Sequence, residues 1–520
     1  MLLKILLVTI AFALLLAIIT TIFIKPWLGK KIWAELNKEN SPHEIGIEKV
    51  RIFILRPGIE LEGIKINSRQ GDGGYLNVEG EIESVKLKGI RLARLIVKKD
   101  ITIREVIINN SSIKGKIPLP GDTIPPLVST VNIRIGKILF DKLNLSMEST
   151  SSALSYSVTE GFLKVFDLNV RKDDTLSPVI VRQYDFEAEK LALVSSDSMH
   201  SFTTGRLIYA TSSNTLAINS FSVQPNYKNY EFTSRYEFQK SRIEATFNNI
   251  YLHNFHIADY ITSGSLMSSW IEIGKMDIKA FRDKRKEFRH INKPVFQDMI
   301  YNYPGSIRVD SIGLINGNVT YTEHAEEAND PGVISFNEIS ARIYKITNDT
   351  IYKTESAFLE LKAGALLMGK SRLNILLKGK IFDRHNTFSM YGTLSDMEAD
   401  ELNPILEKNA FIYATSGRID GMNFSFTADN TKATGRMTML YHGLDLAFKN
   451  KRTDDTTAFR ERFISFIANR RVPDSNPFKG QDVREGIIDY ERDPERTLFH
   501  YCFRSILSGI TSSLQKDPKK

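Results

Sequence analysis

Apolar and polar residues alternate with a period of two along most of this chain, the pattern of strands that bury one face. Ile59-Glu60-Leu61, Ile64-Lys65-Ile66 and the run from Ile82 to Leu87 carry it first. It returns at Ile101-Thr102-Ile103, Val131 to Ile135, Leu143 to Met147, Leu359-Glu360-Leu361, Phe388-Ser389-Met390 and Phe424-Ser425-Phe426. Turn formers separate these stretches: Pro57-Gly58, Gly71 to Gly74, Asn316-Gly317 and Asp330-Pro331-Gly332. One early phrase reads strand (Ile82 to Ile90), short helix (Arg91 to Val97), strand (Ile101 to Ile108), strand (Ser112 to Ile117). An I-x-I-x-x-I opening in the 131–147 stretch is echoed at Ile307 to Ile312, a weak repeat rather than a fixed-period array.

Helical spacing is scarce until the chain's last part, where two helices are expected. Phe459, Phe463, Phe466 and Ile467 form one apolar stripe. The last helix is expected to start with Asp493 as N-cap, Pro494 at the first helical position and Glu495 in the first turn. Its stripe is Phe499, Cys502, Phe503, Ile506, Leu507, Ile510 and Leu514. Packing on the end of a sheet is its plainer role; peripheral membrane contact is the other.

Ile5 to Ile24 is an uncharged run of 20 residues, which at about 1.5 Å per residue covers a bilayer's hydrocarbon thickness. The small-x-small triplet Ala11-Phe12-Ala13 lies inside the run and Lys25-Pro26-Trp27 follows it, so an uncleaved anchor is expected rather than a signal peptide. Lys4 on one side faces Lys25, Lys30 and Lys31 on the other, so charge counting does not settle the orientation.

Composition narrows the function classes. At 520 residues with 42% hydrophobic and 25% charged positions, the chain is globular rather than disordered or fibrous. A mean hydropathy of -0.20 excludes a multi-spanning membrane protein. The single cysteine, Cys502, excludes a disulfide scaffold. A net charge of +8 suits anionic membrane surfaces and falls short of a nucleic-acid-binding signature, so no nucleic-acid partner is expected.

Few motifs invite chemistry. Gly364 to Ser371 (GALLMGKS) matches the P-loop pattern, but Leu373 to Gly379 reads as a strand where a helix is required. His253, His256 and Asp259 do not converge on a strand and read as surface or partly packed residues. No enzyme and no cofactor or metal is expected. Arg282, Lys284, Arg285, Lys286, Arg289 and Lys293 form the strongest charge cluster. It is either a solvated face or a membrane-surface contact, worth about 1 kcal/mol per charge near anionic lipid.

Strand alternation over such a length, with few helices to cover it, leaves three outcomes: a sandwich, a barrel, or a long curled sheet with an open apolar face. In the last case Ile307, Val309, Leu359, Leu361, Phe424 and Phe426 are candidate lane residues for acyl chains; an ordinary filled β core has the same alternation.

The order of phrases resembles the AsmA-like family of envelope proteins, shorter relatives of the TamB and YhdP type of bridge-like lipid-transfer protein. The resemblance is carried by Ile82 to Gly115, by Phe388 to Phe448 (FSMYGTLSDMEADELNPILEKN, SGRIDGMNFSF, GRMTMLYHGLDLAF), and by FISFIANRRVPDSNP with the helix from Arg496 to Leu514. It implies a mainly β fold: an N-terminal transmembrane helix, then a long curled antiparallel-rich sheet forming an open groove, with short helices near 91–97 and two C-terminal helices. The implied regions are an anchor (1–27), an AsmA-like strand–helix–strand region (28–117), an elongated β-groove (118–452) and a helical cap (453–520). It further implies single-pass anchoring in a bacterial inner membrane, the bulk of the chain in the periplasm, and phospholipid bound or conducted in support of the outer membrane. The alternative is a membrane-tethered scaffold for outer-membrane proteins, with envelope protein partners and a filled core.

Overall fold

The structure, a computed structural model, describes residues 43–53, 56–68, 77–91, 94, 100–117, 132–149, 152–171, 179–353, 358–448 and 472–514. The expected anchor at 5–24, most of the helical segment at 91–97 and the stripe at 459–467 lie outside these residues. Among the described residues, no helix is long and apolar enough to cross a membrane. The described chain is mainly β. It falls into two compact units, one within 1–226 plus 256–262 and the other within 227–255 plus 263–520. The division falls near 226.

The first unit holds β1 (His43–Phe53), β2 (Gly58–Ser68), β3 (Asn77–Lys88), β4 (Ile101–Ile117), β5 (Ile133–Ser149), β6 (Ser155–Val170), β7 (Val179–Ile180), β8 (Gln183–Ala188), β9 (Lys190–Val194), β10 (His200–Thr204), β11 (Leu207–Ala210) and β12 (Thr215–Pro225). β1 to β4 form an antiparallel ladder. β4 and β5 are parallel. β6 pairs with β5 on one side and with β7, β8 and β9 on the other. β10 and β11 continue to β12.

The second unit holds β13 (Arg242–His253), β14 (Leu266–Asp283), β15 (Ile307–His324), β16 (Gly332–Thr347), β17 (Phe358–Leu367), β18 (Ser371–Lys380), β19 (Phe388–Leu394), β20 (Met397–Glu398), β21 (Ile412–Ala428), β22 (Lys432–Phe448) and β23 (Glu485–Glu491). Its ladder is again antiparallel except for one parallel pair, β14 with β15. The helices of the described chain are α1 (Asn229–Ser234), α2 (Ile257–Ser263), α3 (Phe296–Tyr301), α4 (Asn403–Asn409) and α5 (Leu498–Ser513).

The strands do not alternate strictly. On β5 the buried residues are Ile133, Ile135, Ile138, Phe140, Leu143, Leu145 and Met147, so the alternation slips by one residue every five. The pairing of β4 with β5 skips Arg104/Gly136 and again Asn110/Lys142 at those slips. The second slip runs across neighbouring strands: Gly63, Asn110, Lys142 and Glu160 all have positive φ. Lys142 and Glu160 lie at bulges, where the β5–β6 pairing shifts register, and all four turn the backbone while returning the next apolar side chain to the same face.

The second unit repeats this design. Counted from Ile133 and Ile307, β5–β6 and β15–β16 shift register at matching places, Phe140/Leu143/Leu145 and Leu314/Gly317/Val319. Glu160 and Glu338 both take positive φ, at 47° and 49°. Asn144 Oδ1 accepts from the Glu160 amide at 3.0 Å, and Asn318 Oδ1 from the Glu338 amide at 3.4 Å. The echoed phrase, Ile133 to Ile138 and Ile307 to Ile312, marks a slip in alternation that keeps the register; the bulges follow it, after Phe140 and Leu314.

Several expectations are corrected by these bulges. Asn316-Gly317 is not a turn but lies inside β15. Ile101 to Ile117 is one strand kinked at Asn110, not two strands. Residues 485–491, expected within a helical cap, form β23, because Gly486, Ile488 and Tyr490 continue the apolar face of β22. The last helix starts at Leu498, with Thr497 as its N-cap accepting from the His500 amide; Asp493 instead accepts from the Glu495 amide in the preceding turn. Gly364 to Ser371 is the β17–β18 hairpin, with Met368 and Gly369 at positive φ, so it cradles no phosphate.

Because the left-handed region penalises a β-branched side chain, Glu160→Val or Glu338→Val is expected to cost on the order of 1–2 kcal/mol, whereas Glu160→Gly and Glu338→Gly are tolerated. Denaturant unfolding of the four variants measures this.

Candidate functional site

In the second unit the bulges align apolar side chains into rows that run across the strands. One row of direct cross-strand neighbours is Ile250, Ile273, Leu314, Ala341, Ala363, Ile375, Gly392, Phe424, Met437 and Gly486. The adjacent row is Leu252, Ile271, Ile312, Ile343, Leu361, Leu377, Met390, Phe426, Gly435 and Ile488. No polar side chain interrupts either. At about 4.8 Å per strand, nine steps make a lane of roughly 43 Å.

Exposure changes along the lane. From β13 to β17 every member of both rows is only half-buried. Gly392, Phe424, Phe426, Met437, Gly486 and Ile488 are buried. The protein's own aromatic rings close that end. Phe388 lies 6.2 Å from Phe296 of α3, 6.3 Å from Phe426 and 6.1 Å from Tyr501 of α5. The Phe424 ring occupies the space a side chain on Gly392 would need. At the other end of the strands, α4 crosses the face. Asn403 bonds Ala414 beside β21, and Asn409 Nδ2 donates to Glu323 Oε1 of β15 at 2.7 Å. A seven-residue helix spans only about 10 Å, yet β21 and β15 stand five strand steps apart, so the sheet curls here.

All six sequence candidates lie on this face. Val309, Leu359, Phe424 and Phe426 are buried in the protein's own core, while Ile307 and Leu361 are half-buried. The half-buried Ile250, Ile271, Ile273, Ile312 and Ile343 were not among them, although Ile271-Glu272-Ile273 is itself an i, i+2 pair. Ile312 and Leu314 fall out of phase with Ile307 and Val309, at i+5 and i+7.

The opposite face is charged. Glu360 is bridged by Lys362 at 2.7 Å and Lys378 at 3.1 Å, and the bond from Lys362 is the main cause that lowers its carboxyl pKa. A concavity of about 490 Å³ on that face is lined by Lys228, Tyr230, Arg242, Glu244, Lys279 and Phe281.

The basic cluster runs from the end of β14 into the crossover leading to α3. Arg282 donates to Gln239 Oε1 at 3.2 Å, and Lys284 meets Glu323 at 2.7 Å. Arg285 forks onto Asp283 at 2.9 and 2.8 Å and lies over the Tyr230 ring. Lys286 donates to the Tyr236 carbonyl, and Arg289 lies over Phe238. The Lys293 amide donates to the Pro494 carbonyl at 2.7 Å. The charged side chains thus hold the crossover to β15 and to residues 230–239, and the Lys293 backbone ties it to the segment before α5.

Of the metal candidates, His253 stacks on Trp270 at 5.6 Å. Among the described residues, no three His, Cys, Asp or Glu side chains group to hold a metal. Compared with known proteins, the chain matches no protein-family model and no curated relative.

Truncating Phe424 in the closed end, Phe424→Ala, is expected to cost about 3–5 kcal/mol, against under about 2 kcal/mol for Ile343→Val in the half-buried stretch; denaturant unfolding compares them. His500, at the start of α5, has its pKa lowered to about 4, first by burial and then by Arg504, Arg496 and Lys284, with Asp493 opposing. Unfolded, it binds a proton near its ordinary value, so stability is full above that value and falls with pH down to about 4. Melting curves at pH 7 and pH 5 should show less acid destabilisation in His500→Gln than in the native chain.

Proposed function

We propose that this protein is a membrane-anchored, AsmA-like lipid-handling protein of the bacterial envelope that seats phospholipid acyl chains along the β13–β17 stretch of the lane. The observation that carries the reading is the pair of unbroken apolar rows, whose members from β13 to β17 are only half-buried. Four strand steps make roughly 19 Å, longer than one leaflet's share of the ~30 Å hydrocarbon core. Each seated methylene contributes about 0.8 kcal/mol without directional bonds, which favours retention with freedom to slide. The uncharged run at 5–24 supports an inner-membrane anchor, with the β domain in the periplasm and the open side of the curled sheet serving as the groove.

The closed end favours a second reading, a membrane-tethered scaffold for outer-membrane proteins. There the face is filled by Phe296, Phe388, Phe424, Phe426 and Tyr501, and the core is non-conducting.

Lipid extraction from the purified full chain, followed by mass spectrometry, separates the two. The lipid reading expects co-purifying phospholipid, reduced at least about tenfold by Ile271→Asp with Ile343→Asp in a chain whose circular dichroism is unchanged. A native chain free of phospholipid would overturn it and leave the scaffold.

A further inference from the structure

We propose that the concavity on the charged face of β13, β14 and β15 is a binding site for a dianionic phosphate group, carried either by a soluble phosphomonoester or by a lipid with a phosphomonoester headgroup. Its floor is built from direct cross-strand neighbours. Arg242 stands opposite Phe281 and Glu244 opposite Lys279, and across the parallel pair Lys279 meets Thr320 and Phe281 meets Thr322. Lys228 and Tyr230, where the chain enters α1, wall a volume of about 490 Å³. Small-molecule sites are commonly of this size, about 300–1,000 Å³.

The site is held in shape by its own contacts. Tyr230 meets the buried Phe281 ring edge-on at 5.0 Å, and its hydroxyl lies 2.8 Å from Nδ1 of the buried His324. Arg242 Nε donates to the Tyr227 carbonyl at 2.9 Å, and Nη1 and Nη2 each donate to Glu244 Oε2 at 3.2 Å. These bonds fix the guanidinium and leave it further N–H donors. A ligand would meet groups already placed, which lowers the ordering cost of binding.

Charge selects the ligand. Lys228, Arg242 and Lys279 against Glu244 leave the lining at +2. Among the described residues neither lysine has an ion pair or hydrogen bond, and the Thr320 and Thr322 hydroxyls are likewise unpartnered. The basic cluster after β14 differs, because Lys284 is paired with Glu323 and Arg285 with Asp283. A phosphate monoester carries about −1.5 to −2 near pH 7 and offers three strong acceptor oxygens. That matches two free ammonium groups, two hydroxyls and a fixed guanidinium; a carboxylate or a phosphodiester, each singly charged, would leave the lining positive.

Calorimetric titration of the purified full chain in detergent, at low ionic strength, tests this with inorganic phosphate as the probe. The native chain should bind phosphate, and Lys228→Gln with Lys279→Gln should weaken that binding at least about tenfold, since two charge-assisted hydrogen bonds are lost. Lys275→Gln, at an exposed position of β14 outside the concavity, should change it less than about twofold. All three lysines are exposed, so these variants should fold as the native chain does, and circular dichroism checks it. Glycerol 3-phosphate and dioctanoyl phosphatidic acid then separate the two sources. A preference for the lipid that the double variant loses assigns the site to a headgroup; without such a preference the source is a soluble phosphomonoester. Absence of phosphate binding by the native chain would overturn the site. Binding that the double variant keeps, or that Lys275→Gln weakens equally, would overturn it too, because the attraction would then be diffuse surface charge.

Discussion

A sheet with one greasy face must keep that face inward while its strands bend, and the bulges are how this chain does so. A strand that merely bent would keep strict alternation, and a single extra residue would send every later apolar side chain to the wrong side. Here the extra residue arrives every five positions and the sequence shifts its apolar residues to match, as Ile133 to Met147 and Ile307 to Leu314 show. Gly63, Asn110, Lys142 and Glu160 take the left-handed conformations that this demands. Everything downstream, from the rows of the lane to their closure, depends on that phase being kept.

The same constraint explains the two kinds of surface in the second unit. Where helices reach the face, its side chains form an aromatic core of Phe296, Phe388, Phe424, Phe426 and Tyr501. Further along the same face Ile271, Ile312 and Ile343 pack against that core and are half-buried. The basic residues after β14 serve the closure: Lys284 and Asn409 converge on Glu323, while Lys293 and Arg492 tie the crossover to the segment before α5. Charge in this stretch organises the fold before it can meet any membrane.

Much of the architecture was legible in the residues, because period-two alternation survives between bulges. The β class, the P-loop look-alike as a strand hairpin and the echo between the 131–147 stretch and Ile307 to Ile312 could all be read that way. The lane was legible only in part. Four of its six candidates, Val309, Leu359, Phe424 and Phe426, proved to be core, since alternation reports that a face is apolar and not what covers it. The cover comes from short helices such as α3 and α4, six and seven residues long, which carry too few turns to show a stripe. The start of α5 was misplaced for a local reason. Asp493-Pro494-Glu495 has the composition of a helix start, but Asp493 caps a turn, and Thr497 supplies the helix cap four residues later.

Whether the face over β13–β17 holds acyl chains, as we propose, is tested most directly by neighbouring residues on opposite faces. A photo-reactive amino acid placed at Ile343, on the lane, or at Arg342, on the charged face, should give sharply different products after irradiation in phospholipid vesicles. The account predicts covalent phospholipid adducts from position 343 and none above background from 342. Equal labelling at both positions, or none at 343, would contradict it.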